Sequence, residues 1–444
     1  MVPATSFTLA DYMVSHGHFR ERSSTTITVD VTELSSGNRH LARIAMEAWE
    51  TVANIRFVEV RDGADIQYHE DDRNHTSYGG DIDIGVSSEL PAQGGIGGWG
   101  GKVHLHELGH ALGLSHPGPY DGNITEPYFS IDTWQQSVMS YFPQKSIPRL
   151  GLDFEHAPVT PMLADILAIQ ELYGEPRGGS TAGDTTYGVK AHLGSYLDRQ
   201  FVTKELTPGA EGLLIGVMTI YDEGGNDVFD FSNDSHAQVV DLEPGSFLDL
   251  YGIRQNLAIA YGTIIEGFLA GSGDDRVSGN AEGNNLSLND GNDRAFGGKG
   301  RDLLSGGEGA DRLFGDSGRD RLMGGSGADR LVGGQGHDNL YGGADFDKDT
   351  FIFRVSLGAS RVSNDTIHDF QGGIDRIVIG QIDANAEKHD HGLHFSEEPE
   401  AFSVWVVQSD NRQIVYADLD GDGAHDLGIV VESALRLTET DFAL

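Results

Sequence analysis

Apolar and polar positions recur with different periods along the chain, and these periods predict its elements. Residues 25–31 alternate at every second position, as in a half-buried strand. In residues 39–54 the apolar side chains recur every three or four positions and form one face of an amphipathic helix. Further strands are predicted at residues 55–60, 64–68 and 81–86. Residues 1–22 show neither period and are predicted to be a leader or short propeptide, so that the first folded domain spans residues 23–177.

The eleven residues from His106 to His116 read HELGHALGLSH and predict a catalytic zinc site. His106 and His110 are four residues apart, so both imidazoles share one face of a helix. Gly113 ends that helix, because glycine enters the left-handed region without steric cost, and the turn returns His116 as a third ligand. Three protein ligands leave a coordination position open, and Glu107 is placed as a base. Two solvated histidines are the alternative for a bare HExxH pattern, and the glycine and third histidine argue against it.

From residue 270 to residue 350 the chain repeats every nine residues, for nine units. The clearest units start with GGKGRDLLS at residues 297–305 and continue through residues 333–341. This is the nonapeptide of RTX proteins, and it predicts an all-β parallel β-roll that binds Ca²⁺. A disordered low-complexity linker is the alternative, and the regular apolar eighth position argues against it when calcium is present.

Each unit offers calcium oxygen ligands at fixed positions. Glycines in the turn expose backbone carbonyls and the sixth position carries a carboxylate, which together are the hard donors that suit Ca²⁺. The predicted carboxylate ligands are Asp275, Asp293, Asp302, Asp311, Asp320, Asp329, Asp338 and Asp347, with Asn284 in the same series. The predicted glycine ligands are Gly298, Gly300, Gly307, Gly309, Gly325, Gly327, Gly334 and Gly336. The first two units and the last, where Asp349 stands in place of the apolar residue, are predicted to cap the array.

Composition narrows the partners and the chemistry. The 444 residues include 69 acidic and 30 basic side chains, a formal net charge of -39, which argues against nucleic acid or anionic membrane as a partner. Such a carboxylate excess repels itself unless a cation neutralises it. Cysteine is absent, so disulfides, thiol nucleophiles and cysteine-switch latency are excluded. Residues 1–22 contain no apolar h-region, so we expect neither a Sec signal nor a transmembrane span.

Further motifs connect the histidine stretch to a known family. The pentapeptide SVMSY at residues 137–141 suits a turn beneath the metal, and an extended histidine motif with such a methionine turn is the metzincin signature. Together with His-Pro-Gly at residues 116–118 and PMLADILAIQELYG at residues 161–174, it resembles the serralysins, secreted bacterial metalloproteases. The resemblance implies that Tyr141 is a further, displaceable zinc ligand that also donates a hydrogen bond to the oxyanion. Met139 would be a hydrophobic floor.

The resemblance also implies calcium ligands outside the repeats, several of them backbone carbonyls. Residues 365–379 resemble the segment that closes the serralysin roll. The implied ligands are Gly183, Thr185, Asp222, Gly224, Gly225, Asp227, Ile264, Glu266, Asp365 and Asp369. The family has an arginine where this chain has Thr181. A backbone carbonyl ligand at this position would not be affected by that difference in side chain. Residues 418–423 look like the start of an EF-hand loop, but Ile429 replaces the bidentate glutamate, so we predict a hairpin turn.

The rim of the cleft departs from the family pattern. In metzincins an edge strand close to residues 94–101 pairs with the extended substrate backbone. This segment has six glycines and Trp99, and it is shorter than the resemblance implies, so a loop and a strand both stay open. His104, two residues before the first ligand, is predicted to be a bystander on another helical face.

These observations predict two domains, an α/β metzincin catalytic domain with a mixed twisted sheet and a zinc-binding helix, then a parallel β-roll over residues 178–444. The function implied is a secreted, calcium-stabilised zinc endopeptidase that is extracellular and monomeric and acts on protein or peptide substrates. The resemblance also implies type I secretion machinery, which would recognise the ending TDFAL, and a proteinaceous inhibitor as partners. The alternative is an RTX calcium-binding or adhesive protein whose metalloprotease-like domain is inactive.

Overall fold

The chain folds into two compact units, Met1–Asp227 with Pro244–Ile264 and Val228–Glu243 with Ile265–Leu444, which we call the first and second units. Among the described residues, no helix combines the length and apolar character that a bilayer crossing needs. The computed structural model describes residues 2–19, 24–71, 73–78, 82–92, 97–120, 126–152, 155–179, 181–191, 193, 195–201, 216–356, 364–382, 393–409, 412–433 and 435–444.

The elements follow one another in chain order. The elements within Met1–Asp227 are α1 Ser6–Ser15, β1 Thr26–Asp30, α2 Ser36–Glu50, β2 Arg56–Glu59, β3 Ile66–Glu70, β4 His75–Tyr78, β5 Ile82–Val86, α3 Trp99–Ala111, α4 Leu163–Tyr173, β6 Thr186–Gly188, α5 Asp198–Phe201 and β7 Met218–Ile220. The next are β8 Val228–Asp230, β9 Val239–Asp241, β10 Phe247–Leu250, β11 Ile253–Ile259, β12 Gly267–Leu269, β13 Arg276–Ser278, β14 Asn285–Ser287, β15 Arg294–Phe296, β16 Lys299–Gly300, β17 Leu303–Glu308, β18 Arg312–Phe314, β19 Ser317–Gly318, β20 Arg321–Ser326, β21 Arg330–Val332, β22 Gln335–Gly336 and β23 Asn339–Tyr341. The last are β24 Thr350–Ser356, β25 Asn364–Ile367, β26 Arg376–Ile382, β27 His394–Phe395, β28 Ser403–Ser409, β29 Arg412–Ala417, β30 Leu427–Val431 and β31 Phe442–Ala443.

The first unit contains a mixed five-stranded sheet in the order β2-β1-β3-β5-β4. Four strands are parallel and β4 is antiparallel to β5. The strands predicted from the alternating segments are confirmed as β1, β2, β3 and β5, and the predicted amphipathic helix is confirmed as α2. That helix starts earlier than the apolar pattern, because the Ser35 side chain caps the amide of Asn38.

The edge strand is β4, which the sequence did not predict. All four of its residues are half-buried and three are polar, so they show no alternation. The glycine-rich segment was expected near the edge, but its end at Trp99 already begins α3, and residues 93–96 lie outside the described residues. The strand at this edge of the sheet, β4, therefore precedes β5 in the chain, whereas the expected segment follows β5.

Helix α1 also has no hydropathy signature. It buries Leu9 and Met13 against α4. The hydroxyl of Ser6 donates to Gln136 at 2.7 Å, and the amide of Ser115 donates to the Met13 carbonyl at 3.1 Å. The segment predicted as a leader thus contributes a helix to the first unit, although whether it is processed stays a prediction.

The second unit is dominated by parallel strands that pair at a spacing of 18 residues, as in β15 with β18 and β17 with β20. Successive nonapeptides therefore alternate between two sheets, with strand orders that include β24-β21-β18-β15-β13 and β23-β20-β17-β14-β12. The apolar eighth positions from Val277 to Leu340 are all fully buried between them. The predicted parallel β-roll is confirmed. The predicted hairpin is also confirmed, since β29 and β30 pair antiparallel.

Candidate metal centres

Helix α3 and the turn after it bring the three predicted zinc ligands together. His106 and His110 lie one helical turn apart, and the chain leaves the helix at Gly113, whose φ of 111° is a conformation that side-chain-bearing residues rarely adopt. The amide of Gly113 donates to the carbonyl of His110 at 2.9 Å, which closes the last turn. The chain then reverses and places His116 beside the other two.

The three Nε2 atoms converge on one point. They are 3.1 Å apart between His106 and His110, 3.0 Å between His110 and His116, and 3.3 Å between His116 and His106. Ligands at 2.0–2.1 Å from zinc in a tetrahedron lie about 3.3–3.4 Å from each other. The arrangement therefore fits three corners of a zinc coordination tetrahedron with a small outward adjustment.

Each imidazole is held from behind by a backbone carbonyl. The Nδ1 atoms of His106, His110 and His116 lie 2.9, 2.8 and 2.9 Å from carbonyl oxygens of Val138, Leu114 and Tyr120. A carbonyl only accepts, so each Nδ1 carries the proton and each Nε2 presents its lone pair to the shared point. Burial also lowers the pKa of His106 well below its usual value and that of His116 to about 4. His106 and His116 are therefore neutral, as metal ligands must be.

Glu107 is buried next to this cluster. Burial is the main cause that raises the pKa of its carboxyl to about 7. The hydroxyl of Thr76, on the edge strand β4, lies 2.9 Å from the Glu107 Oε2 atom and 2.9 Å from its backbone carbonyl. A carboxylate that is desolvated and oriented by one donor is suited to take up and release a proton near neutral pH. Thr76 was not predicted, because β4 has no periodic pattern of apolar residues.

The methionine turn lies beneath the helix. Met139 is fully buried, and its sulfur is only 2.5 Å from where a Cβ on Gly109 would stand, so glycine is needed for this close approach. Asp165 on α4 anchors the turn, because its Oδ1 accepts from the Ser137 hydroxyl at 2.6 Å and its Oδ2 accepts from the Val138 amide at 2.7 Å. The expected role of Met139 as an apolar floor fits this packing.

Tyr141 follows this turn and faces the histidines. Its ring centroid lies 4.4 Å from that of His116 and 5.6 Å from that of His106, and its side chain is 37% exposed. The ring therefore lies beside the cluster and is partly open to solvent.

Lys102 is a charged residue that sequence reasoning missed at this site. It is buried on α3, one turn before His106, and its amine donates to the Ser140 carbonyl at 3.2 Å. The same amine lies 5.0 Å from the ring centres of Trp99 and Trp134. Burial lowers its pKa to about 7, against the opposing effect of Glu107. Its neighbour His104 is buried as well, with Nε2 3.2 Å from Asn38 Oδ1, and does not join the cluster.

In the second unit, the repeat aspartates form two regular ladders. In one, the amide of Asp293 donates to Asp311 Oδ1 at 2.8 Å and the amide of Asp311 donates to Asp329 Oδ1 at 2.8 Å. In the other, the amide of Asp302 donates to Asp320 at 2.9 Å. The second carboxylate oxygen, Oδ2, is buried without a hydrogen-bond partner in Asp275, Asp293, Asp302, Asp311, Asp320, Asp329, Asp338 and Asp349. A row of buried carboxylate oxygens without hydrogen-bond partners is suited to bind cations when the carboxyls are ionised.

Glycine geometry completes the fit to calcium. A Cβ on Gly297 would stand 2.4 Å from Asp302 Oδ2 and 2.8 Å from the Gly315 carbonyl oxygen, so glycine keeps open a cradle lined by hard oxygens. The predicted glycine ligands all have φ between 101° and 151°; they are Gly298, Gly300, Gly307, Gly309, Gly325, Gly327, Gly334 and Gly336. These turns and the unpaired oxygens together suit Ca²⁺.

The predicted register is wrong in the last unit. Asp347 is exposed, whereas Asp349 is buried and its Oδ1 accepts from the Asp329 amide at 3.0 Å. The turn after Gly342 is two residues longer than in the other units, so the carboxylate of the series comes two positions later. The ladder then continues to Asp375, which accepts from the Asp349 amide at 3.1 Å and which the sequence analysis missed.

The two aspartates implied as ligands near the end of the roll both accept backbone amides. Asp365 accepts from the Asp338 amide at 2.9 Å and thereby ends the second ladder. Both oxygens of Asp369 accept backbone amides, from Gly342 at 2.8 Å and from Gly343 at 3.1 Å.

The turn predicted ahead of the repeats is assembled in the first unit. Asp222 accepts from the Gly224 amide at 2.7 Å and from the Tyr187 hydroxyl at 2.6 Å, and Asp227 accepts from the Thr185 amide at 2.7 Å. Gly183 and Gly225 meet there, since a Cβ on Gly225 would be 2.7 Å from the Gly183 carbonyl oxygen. The Asp222 amide donates to Thr263, the residue before Ile264. Glu266 lies in the second unit, where its carbonyl accepts from the Asn285 amide.

Comparison with known proteins gives a consistent result. A family model described as Peptidase M10 serralysin C terminal matches residues 179–444. Serralysin A of Dickeya chrysanthemi is 35% identical over 255 residues, which cover 53% of this chain and 51% of that protein. Metalloprotease AprA of Pseudomonas entomophila is 33% identical over 284 residues, or 57% of this chain and 56% of that protein. The chain thus spans about half the length of the curated relatives it matches.

Among solved structures, High choriolytic enzyme 1, a hatching-enzyme zinc protease from Oryzias latipes, matches 36% of this chain and 95% of its own. Its sequence identity is 18% and its TM-score is 0.24, too low to carry an argument.

Proposed function

The chain belongs to the serralysin family of M10 peptidases, and from this premise we propose that it is a zinc-dependent endopeptidase that hydrolyses peptide bonds in proteins. The observation that carries the proposal is the convergence of three histidine Nε2 atoms within 3.3 Å, each with its Nδ1 on a backbone carbonyl, beside a buried glutamate. That arrangement provides the ligands, their protonation state and a proton carrier together.

The mechanism assigns one task to each side chain. His106, His110 and His116 would hold zinc, which supplies a Lewis acid that acidifies water and polarises the scissile carbonyl. Glu107 accepts the proton of the attacking water and delivers it to the leaving amine. Tyr141, beside the cluster, donates a hydrogen bond to the oxyanion that develops on the carbonyl.

The same premise supports proposals for the second unit. Calcium held by the two aspartate ladders would stabilise the β-roll, and we propose that the protein is exported by type I machinery and acts outside the cell as a monomer. The buried, unpaired carboxylate oxygens support the calcium proposal, because a bound cation compensates the desolvation of their ionised form. A proteinaceous inhibitor is a further proposed partner.

Digestion of casein by the purified full chain tests the activity. We expect cleavage that stops with the zinc chelator 1,10-phenanthroline in the presence of excess calcium and returns when zinc is added. No cleavage by zinc-loaded, calcium-loaded protein would favour the alternative, an RTX calcium-binding or adhesive protein with an inactive metalloprotease-like domain.

Changing Tyr141→Phe removes one hydroxyl and keeps the ring that lies beside His116. We expect turnover to fall about 10²–10³-fold, since that is the cost of losing an oxyanion donor, with little change in KM. Steady-state kinetics on a fluorogenic peptide and a zinc count by mass spectrometry measure this. Tyr128→Phe, which changes another partly exposed tyrosine, is the control and should leave turnover unchanged. Unchanged turnover in Tyr141→Phe would assign its ring to packing alone.

Changing Thr76→Val removes the donor that stabilises the ionised form of Glu107. The pKa of Glu107 should rise, so the acid limb of kcat/KM should move to higher pH by about one unit, which corresponds to a hydrogen bond of about 1.4 kcal/mol. Activity would then drop about tenfold on the acid side and little on the alkaline side. Thr76→Ser keeps the hydroxyl and should keep the wild-type profile. Identical profiles for Thr76→Val and wild type would contradict a role for this contact.

A further inference from the structure

A second cluster of side chains that could bind a metal ion lies on the sheet of the first unit, away from His106, His110 and His116. His69, Asp71 and His75 each place one ligand atom within 4.8 Å of the others. His69 belongs to β3, His75 begins β4, and Asp71 lies in the turn between them. None of these residues has a task in the proposed hydrolysis.

A glycine on the strand between them lets the two imidazoles meet. Both His69 and His75 are in register with Gly85 on β5, which lies between β3 and β4. Strands that flank a third are about 9–10 Å apart, too far for most side chains to touch. A Cβ on Gly85 would stand 2.4 Å from His75 Cε1 and 3.2 Å from His69 Nε2, so both rings occupy the space that its side chain would fill. Their ring centroids are 5.8 Å apart.

The donor types and their surroundings resemble a transition-metal site more than a chance contact. His69 Nδ1 lies 2.9 Å from Asp83 Oδ1, which fixes its proton on Nδ1 and turns the Nε2 lone pair toward Asp71 Oδ2, 3.9 Å away. His75 Nδ1 similarly faces the Arg73 carbonyl at 3.3 Å. A carboxylate or carbonyl behind the ring is the usual support of a metal-binding histidine. A cation between these two facing acceptors would be bound by both of them.

We propose that His69, Asp71 and His75 bind a second transition-metal ion of the zinc class, with Asp83 orienting His69. Two imidazoles and a carboxylate suit zinc, and the ligands are partly exposed, so the ion enters from solvent. Arg73, whose Nη2 atom is 4.0 Å from Asp71 Oδ2 and mostly exposed, turns away into solvent when the ion binds.

The site is connected to the catalytic cluster through one short strand. After His75, β4 presents Thr76 to the carboxylate of Glu107 and then Tyr78, whose hydroxyl donates to the His110 carbonyl at 2.5 Å. An ion that joins β3 to β4 fixes the edge strand that contacts the proposed base. The site therefore stabilises the sheet edge, and its occupancy modulates hydrolysis without taking part in it.

Zinc counting on the full, calcium-loaded chain tests the proposal without reference to peptidase activity. After dialysis at micromolar free zinc, we expect two zinc ions per wild-type chain and one in the double variant His69→Gln/His75→Gln. His394→Gln, which changes an exposed histidine of the second unit, should still bind two. The proposal would be overturned if the double variant bound as much zinc as wild type, whether that is two ions or one.

A milder variant guards against loss of folding. Asp83→Asn should weaken zinc binding at this site about 10–100-fold, as is typical for removal of a supporting carboxylate, while the sheet stays intact by circular dichroism. Asp62→Asn, in an exposed loop of the same sheet, should leave the affinity unchanged. Equal affinities for Asp83→Asn and wild type would show that Asp83 does not support a metal ligand. Failure of casein digestion with a second zinc still bound would instead count against the proposed function alone.

Discussion

Removal of calcium at pH 8 is expected to unfold the β-roll of the second unit, with the largest loss of structure between residues 270 and 350. Each turn contributes one sizeable apolar side chain, and its glycines lose unusual backbone entropy on ordering. A site that binds calcium only in the folded roll contributes about 2.7 kcal/mol at a hundredfold excess over Kd, so several sites exceed the roughly 5–15 kcal/mol of an ordinary domain. Circular dichroism and hydrogen exchange of the full chain, with calcium and with chelator, measure the change.

The pH dependence of this unfolding has a defined sign. Burial raises the pKa of Asp293 and Asp329 to about 8 and that of Asp320 to about 7. A carboxyl whose pKa is raised by folding fully stabilises the folded state below its unfolded pKa of about 3.9, and this stabilisation is lost progressively as the pH rises from there through the folded pKa of about 7–8. The chelated roll should therefore regain structure when the pH falls from 8 toward 5. Acid should have the opposite effect on calcium binding, because protons compete for the same oxygens.

A single substitution separates charge from shape. Asp320→Asn keeps an oxygen for the Asp302 amide and removes the buried charge, and an uncharged Asn284 already occurs in this ladder, where its backbone amide donates to Asp302. We expect it to stabilise the chelated roll at pH 8 and to destabilise the calcium-loaded roll. Asp422→Asn, on the exposed turn after β29, is the control and should change neither. A roll that is fully β-structured in chelator at pH 8 would show that its folding does not depend on calcium.

Glu107→Ala is expected to keep zinc and to lose peptidase activity. The carboxylate is bonded to Thr76 and is not one of the three converging nitrogens, so its removal leaves the ligand set intact. General acid–base catalysis contributes about 10²–10⁴-fold, and turnover should fall by at least that factor. The measurement is kcat/KM on a peptide together with the zinc count of the same sample.

The contrasting variant is His110→Gln, which should lose both catalytic zinc and activity because it removes a ligand. Wild-type turnover in Glu107→Ala would overturn the proposed mechanism. Loss of zinc together with activity in Glu107→Ala would mean that the glutamate positions the histidines rather than carrying the proton.

Much of the fold and of the candidate site was predictable where the determining contacts are local. His106 and His110 share a helical face at any location in a protein, and Gly113 ends the helix by its own conformational freedom. The nine-residue period likewise fixed the parallel strands of the roll, since each turn meets only its neighbours. These features follow from the spacing of residues along the chain.

Tertiary structure decided the rest, because those contacts join residues whose separation in the chain has no period. Thr76 contacts Glu107 only because β4 lies at the edge of the sheet. His69 contacts His75 only because Gly85, on the strand between them, has no side chain. Asp349 takes the place predicted for Asp347 because the turn after Gly342 is longer than the others. The buried carboxylate that accepts from the Asp329 amide therefore comes two residues later. Local spacing thus determined the ligand types, and the packing of distant strands determined which side chains support them.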